Sequence, residues 1–292
     1  MPELPEVESL RKNLSQVLLQ KRIADIKLLR PKSFPEFSEK KQILIGQEFI
    51  EIKRRAKILD LVLSNSQHLL IHLKMTGQLI FVDKNGQRFG GGHPTADWIN
   101  DLPSQHTRVI FDLLDNENRI SQLFFNDMRV FGWLKVIAAS QLDQEFASYG
   151  PDVNDQQLTV KYLLAKAKNR QTSIKQFIMD NQVLAGVGNI YANEALFRAK
   201  ISPLRRANSL SKIEMTRLLL EMRQIIEAAI ILGGTTFDGR YVGINGLAGS
   251  FQDQLAVYGH ENEVCPDCGH DFKIKRVKLG GRSSFYCEHC QH

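Results

Sequence analysis

No part of this chain offers the roughly 18–20 consecutive apolar residues that a membrane-spanning helix requires; the apolar stretch at 225–232 is short and contains Glu227. The opening residues, MPELPEVESL, are acidic and carry two prolines, unlike a secretory or transit signal. A cytoplasmic protein is the expectation. Cysteine is scarce, with four residues in 292, all within the last 28. A secreted protein of this size would scatter paired cysteines along its length, so the clustering points to a metal site instead. Internal repeats and low-complexity tracts are absent too. At 43% hydrophobic and 24% charged the composition is that of a globular protein. The length suggests about two domains, either of which can bury a core.

The charge is unevenly spread. With 38 Lys+Arg against 32 Asp+Glu the net charge is +6. Residues 161–212 hold ten of the bases (Lys161, Lys166, Lys168, Arg170, Lys175, Arg198, Lys200, Arg205, Arg206 and Lys212) and only two acids, Asp180 and Glu194. A second cluster, KRRAK, fills 53–57. Such concentrated basicity suits a polyphosphate partner, with a merely solvated surface as the alternative.

Leu4, Val7, Leu10, Leu14, Val17 and Leu18 recur at three- and four-residue steps, so 3–20 is expected to form an amphipathic helix. From about 23 to 137 the chain alternates in short runs, at 58–63, 69–73, 78–82, 109–114, 122–125 and 132–137. Polar turns separate them, as in an antiparallel sandwich or barrel. The stretch 89–106, with three consecutive glycines and two prolines, reads as a long exposed loop. After Gly150-Pro151 the pattern turns helical, with candidates at 158–167, 172–181, 189–199 and 211–232, the last ending at Gly233-Gly234. Five glycines in 237–259 suggest a mobile loop. The fold class expected is therefore α+β.

The cysteines are spaced Cys265-x2-Cys268-x18-Cys287-x2-Cys290. Two such pairs close a tetrahedral zinc shell with no position left for water, so one structural Zn2+ is expected. The intervening FKIKRVKLGGRSSFY alternates like a hairpin turning at Gly280-Gly281. It displays Lys273, Lys275, Arg276, Lys278 and Arg282, which suits a nucleic-acid-binding ribbon; a protein-interaction clip is the alternative.

Cytosolic processing normally removes a Met that precedes proline, leaving Pro2 as the terminus. A free α-amine has a reference pKa near 7.7–8, so a useful fraction is nucleophilic at neutral pH. A secondary amine attacking a sugar aldehyde carbon yields an iminium that cannot lose an N–H proton and so stays an electron sink for elimination. Glu3 and Glu6 lie one turn apart where the helix dipole favours carboxylates, which is also what ordinary helix-start signals look like.

MPELPEVE together with the terminal four-cysteine ribbon resembles the bacterial formamidopyrimidine-DNA glycosylase family. The resemblance spans nearly the whole chain: RRAK at 54–57, HLKMTG at 72–77, NDMRVFG at 126–132, YGPD at 149–152, LAGVGNIYANEALF at 184–197, GGTT at 233–236, VYG at 257–259 and RSSFYC at 282–287. It implies a monomeric enzyme of the bacterial cytoplasm, acting on damaged double-stranded DNA. Such an enzyme excises oxidised purines and cleaves the abasic site by β,δ-elimination. The implied organisation is a catalytic sandwich domain at 1–150, a helical helix–two-turn–helix domain with a lesion-capping loop (237–251) inside 151–259, and a zinc ribbon at 260–292.

By the same resemblance Pro2 attacks C1′ of the damaged nucleotide, Glu3 is general acid and proton shuttle at the sugar, and Lys57 is an acid in elimination. Arg282 holds backbone phosphate and belongs to the δ step. Met75, Arg129 and Phe131 fill the hole left by the extruded nucleotide; read without the motifs, Met75 and Phe131 are ordinary core residues. Asn189, with backbone N–H groups at a helix start, binds phosphate, and His72, His106, Arg170 and Lys175 lie on or near the DNA. Three departures stand out. The 89–106 connection is longer than usual, Val130 replaces a second basic residue, and Gln171 stands where Lys is frequent. The last two bear on affinity or opposite-base preference rather than on chemistry. The rival readings are an endonuclease VIII-like enzyme for oxidised pyrimidines, against which Leu4 and the Met75/Arg129/Phe131 set stand, and a catalytically idle zinc-ribbon DNA binder.

Overall fold

A computed structural model describes residues 2–93, 97, 100–235 and 249–292. Most of the expected lesion-capping loop and part of the 89–106 stretch therefore lie outside the described residues. The chain divides into two compact units, residues 1–146 with 232–250, and residues 147–231 with 251–292. The segment 232–250, grouped by sequence with the helical region, thus belongs with the first unit. Among the described residues no helix is long and apolar enough to cross a membrane.

In the first unit, helix α1 (Leu4–Leu18) buries Leu4, Val7, Leu10, Leu14 and Leu18, the stripe expected from their spacing. Each contributes roughly 1.5–3 kcal/mol of burial. Two antiparallel sheets follow. One has the order β1 (Arg22–Leu28), β7 (Thr107–Leu114), β8 (Ile120–Asp127), β5 (Gly77–Val82), β6 (Arg88–Gly92). The other runs β2 (Phe49–Arg55), β3 (Ile58–Leu63), β4 (Gln67–His72), β9 (Trp133–Ala138). Alternate residues of both (Leu59, Leu61, Leu69 and Ile71 from one, Leu79, Phe81, Phe111 and Phe125 from the other) join α1 in a single core. This is the period-two burial of a sandwich. A short helix α2 (Phe37–Leu44) adds Leu44 to that core, and α3 (Leu142–Phe146) ends the unit's first segment.

The expectation of an exposed loop over 89–106 is corrected. Its first residues form β6, paired with β5 in the register Leu79↔Gly91. Gly90 and Gly92 are buried at φ +141° and +130°, and a Cβ on either would run into the β5 backbone, at Leu79 O and Gly77 O respectively. The glycine run is thus a strand pressed against its neighbour, not a flexible linker. Further along, Leu102 packs over Ile80, Ile110 and Phe124, covering the outer face of the five-stranded sheet.

The second unit holds α4 (Val160–Ala167), α5 (Ile174–Ile178), α6 (Asn189–Arg198) and α7 (Lys212–Ile231). Thr159 caps α4 by accepting from Tyr162 N–H, and Ser173 caps α5 by accepting from Gln176 N–H. Helix α7 stops at Gly233 and Gly234, both at positive φ, as its sequence requires. Arg223 of α7 donates to the carbonyls of Val153, Asp155 and Leu158, fixing the segment that leads into α4. The ribbon comprises β10 (Val264–Cys265) with β11 (Gly269–Lys273), and β12 (Lys275–Leu279) with β13 (Arg282–Tyr286) turning at Gly280-Gly281. The expectation of a mobile loop over 237–259 is corrected for its latter part. Phe251 is buried beside Tyr191 and Val257 sits in the ribbon's own core. The buried Glu194 carboxylate of α6 holds this stretch, accepting from the N–H groups of Ala256, Val257 and Tyr258. Burial raises its pKa, against the pull of those three hydrogen bonds.

Candidate active site

The first unit carries Pro2, Glu3, Lys57, His72, Met75, His106, Arg129 and Phe131. Pro2 and Glu3 are buried at the start of α1. Glu3 N–H donates to Glu6 Oε2 at 2.8 Å, and Glu6 Oε1 accepts from Thr235 N–H at 2.8 Å and from its hydroxyl at 3.2 Å. Gly234 passes this carboxylate at φ +86°, where a Cβ would stand 2.6 Å from Glu6 Oε1. Glu6 is therefore more than a helix-start acid: it anchors the terminal turn to the chain at 234–235, a partner 229 residues away that no local pattern reveals.

Lys57 is buried at the β2–β3 turn, immediately after Ala56 in the left-handed region (φ +55°). The neighbouring Arg54 is a brace. Its guanidinium donates to Ala56 O at 2.8 Å and to Glu8 Oε2 at 3.0 Å. Burial pushes the Glu8 carboxyl up, but hydrogen bonds from Arg11 and Arg54 bring it net below its usual range. His72 lies across the ladder from Ile58, next to Lys57. Its Nδ1 accepts Lys74 N–H at 2.9 Å, so the ring proton sits on Nε2. Burial, then the charges of Lys74 and Lys57, push its pKa down to about 3. His72 is thus a neutral donor. Because its folded pKa is depressed, the unfolded chain binds the extra proton between pH 6.5 and about 3, and stability falls as pH drops through that window. Nitrogen-15 NMR of the ring should show an unprotonated Nδ1 at pH 5; a midpoint near the ordinary histidine value would contradict the assignment.

Met75 and Phe131 are 39% and 46% exposed, so neither is a core residue. They sit on adjacent loops at one end of β5 and β8, where Gly77 pairs with Asp127. Arg129 lies over the Phe131 ring at 4.7 Å and Lys32 approaches the same ring at 5.8 Å. Lys74 and Val130 are held at φ +51° and +54°, a conformation costing about 1–3 kcal/mol for a non-glycine residue and worst for a β-branched one. The departure at Val130 therefore falls on a strained position. The fully buried Asp127 meets that strain, accepting from the N–H groups of Arg129, Phe131 and Gly132 and from the Thr76 hydroxyl. The His106 carbonyl accepts Asp127 N–H at 2.9 Å, and its ring Nδ1 is 2.9 Å from a carboxylate oxygen of Asp97, a buried acid from within the long 89–106 connection.

The second unit carries Arg170, Lys175, Asn189, Arg282 and the cysteines. Arg170, Lys175 and Arg282 line one cleft of about 300 Å³ with Thr172, Gln176 and Asp180. Three cations around one cleft suit an anion. Arg282 is exposed and Arg170 lies 3.7 Å from Asp180. Lys175 is turned inward: it is 1% exposed, and its ammonium donates to Ser283 O and Ser284 Oγ, both at 2.7 Å. It ties α5 to the strand that bears Arg282. Asn189 opens α6 after the Gly186–Gly188 turn, apart from that cleft's lining, and its Oδ1 is buried with no partner among the described residues.

The four cysteine sulfurs all lie within 4.8 Å of one another, with Cys265–Cys290 at 3.9 Å and Cys268–Cys287 at 3.7 Å. A regular tetrahedron with Zn–S bonds of ~2.3 Å has edges of about 3.8 Å, so the set fits one structural Zn2+. His289, unremarked in the sequence, brings Nδ1 to 3.3 Å from Cys268 Sγ and stacks on Phe272 at 3.8 Å.

Comparison with known proteins agrees along the whole chain. The profile of the formamidopyrimidine-DNA glycosylase N-terminal domain matches residues 1–134, that of its H2TH domain 149–240, and that of a zinc finger found in FPG and IleRS 262–292. The formamidopyrimidine-DNA glycosylase of Pelotomaculum thermopropionicum is 37% identical over 295 residues, covering 100% of this chain and 99% of its own. That of Vibrio atlanticus is 37% identical over 291 residues, with both chains covered fully. Among solved structures, Lactococcus lactis Fpg in complex with DNA containing an abasic site superposes with a TM-score of 0.86 at 27% identity, over 100% of both chains. A point mutant of the same protein, bound to DNA containing Fapy-dG, gives 0.86 at 28%, again over 100% of both chains.

Proposed function

We propose, from the premise that this chain belongs to the formamidopyrimidine-DNA glycosylase family, that it removes oxidised purines from duplex DNA and then cuts the strand at the abasic site. The observation that carries the reading is the presentation of two large apolar side chains, Met75 and Phe131, on adjacent braced loops of the unit that also buries Pro2 and Glu3. With Arg129 they occupy the gap when a nucleotide swings out, offsetting a few kcal/mol of lost stacking and pairing.

In the chemistry proposed, the freed Pro2 nitrogen attacks C1′ and the bond from C1′ to the base breaks, while Glu3 supplies a proton at the sugar. With that proton on O4′ the C1′–O4′ bond opens to an iminium, which acidifies C2′–H; the Glu3 carboxylate takes the C2′ proton and the 3′ phosphate leaves, and loss of the C4′ proton in a second elimination expels the 5′ phosphate. Lys57 donates a proton in elimination, beside the neutral His72, which offers Nε2–H to a phosphate. Arg170 and Arg282 hold backbone phosphate at their shared cleft with Lys175 bracing Arg282, Asn189 binds phosphate at the start of α6, and His106, steadied by Asp97, makes a further phosphate contact. Zinc here organises the ribbon and takes no part in bond making.

Two assays test this. Borohydride in the presence of abasic-site duplex should trap a covalent adduct at Pro2; failure with processed protein supports an idle binder. Excision should favour 8-oxoguanine opposite cytosine over thymine glycol, and a clear preference for the pyrimidine supports the endonuclease VIII-like alternative.

A further inference from the structure

We propose that the Thr76 hydroxyl and the Asp127 carboxylate join the Met75 loop and the Arg129–Phe131 loop into one wedge that acts as a unit. The inference rests on the proposed entry of Met75 and Phe131 into the duplex and adds two positioning residues to it.

Asp127 is 0% exposed and ends β8. A buried carboxylate is tolerated only when its lone pairs are filled. Here Oδ2 accepts from Phe131 N–H and Gly132 N–H, both at 2.7 Å, and Oδ1 accepts from Arg129 N–H at 3.2 Å. These three bonds curl the loop around Val130 and aim Phe131 outward. The fourth donor comes from the other loop: Thr76 Oγ1 gives its proton to Asp127 Oδ1 and accepts from Arg129 N–H at 3.0 Å. One hydroxyl, adjacent in the chain to Met75, thus touches both the carboxylate that shapes the second loop and the backbone of its arginine. Gly132 permits the close fit, since a Cβ there would meet the Phe125 ring at 2.7 Å and Asp127 Oδ2 at 3.1 Å. The consequence is mechanical: displacing Met75 shifts Thr76, which loosens Arg129 and Phe131.

The test is a double-mutant cycle on affinity for a duplex with a tetrahydrofuran abasic analogue opposite cytosine. Met75→Ala, Phe131→Ala and the pair are compared in the parental chain and in Thr76→Val, which removes the hydroxyl but leaves the three backbone bonds to Asp127. In the parental chain the two losses should deviate from their product by about tenfold, because the second truncation acts on a wedge already broken. In Thr76→Val they should multiply to within about twofold. Thr76→Ser, which keeps the hydroxyl, should restore the coupling, and Thr76→Ala should repeat the loss if valine perturbs folding. Equal coupling with and without the hydroxyl overturns the proposal, as do independent losses in the parental chain. A parental chain that ignores the duplex altogether instead removes the functional reading beneath it.

Discussion

Replacing Glu3 with glutamine is expected to slow base excision by about 10²–10⁴-fold while affinity for lesion-bearing duplex stays near the parental value. The side chain is 3% exposed, and its backbone N–H is held by Glu6, so an isosteric amide fits the same space and leaves the terminal turn intact. What glutamine lacks is a transferable proton. On the proposed mechanism the departing base and the opening sugar both need one, and water is poorly placed to reach a buried position. Single-turnover excision, measured beside binding to the tetrahydrofuran duplex, separates the two effects. Loss of both together would point to a misplaced α1 start, and parental excision would remove Glu3 from the chemistry.

Cys268→Ser should empty the zinc site and cost far more than one side chain's packing. Three thiolates hold the metal poorly, and structural zinc contributes about 10–16 kcal/mol to folding in small ribbons. Little else holds this one, whose core comprises Phe197, Val257, Cys265, Ile274, Phe285 and Cys287. Two links carry the damage inward: Asn193 of α6 accepts Phe285 N–H at 2.7 Å, and Lys175 reaches Ser283 and Ser284 on β13. Arg282, on the same strand, loses its place beside Arg170. Zinc content should drop from one per chain to near zero, and duplex affinity by about 10²-fold or more, the loss of several phosphate contacts together. Metal loss with affinity intact would instead mark the ribbon as a clip for another protein.

What could be read beforehand depended on how locally each feature is written. Helix α1 announces itself in six leucine and valine positions, and the zinc site in two short spacings. Strand β2, FIEIKRR, and strand β6, RFGGG, escaped because one is half charged and the other ends in three glycines that leave no alternation; both are defined by what they pair with. The same applies at the site. Pro2, Glu3 and Lys57 belong to recognisable motifs, whereas the work of Glu6, Asp97, Thr76 and Asp127 lies in bonds to chain elements up to 229 residues away. Lys175 carries a charge that reads as surface until its two serine partners appear.

The polypeptide passes from one unit to the other three times, after residues 146, 231 and 250. Neither unit is therefore a continuous stretch of gene. A fragment ending at 146 would lack the Thr235 anchor for Glu6, and one starting at 147 would carry residues 232–250 away from the unit they belong to. Domain shuffling by simple end-to-end fusion is closed to such a layout.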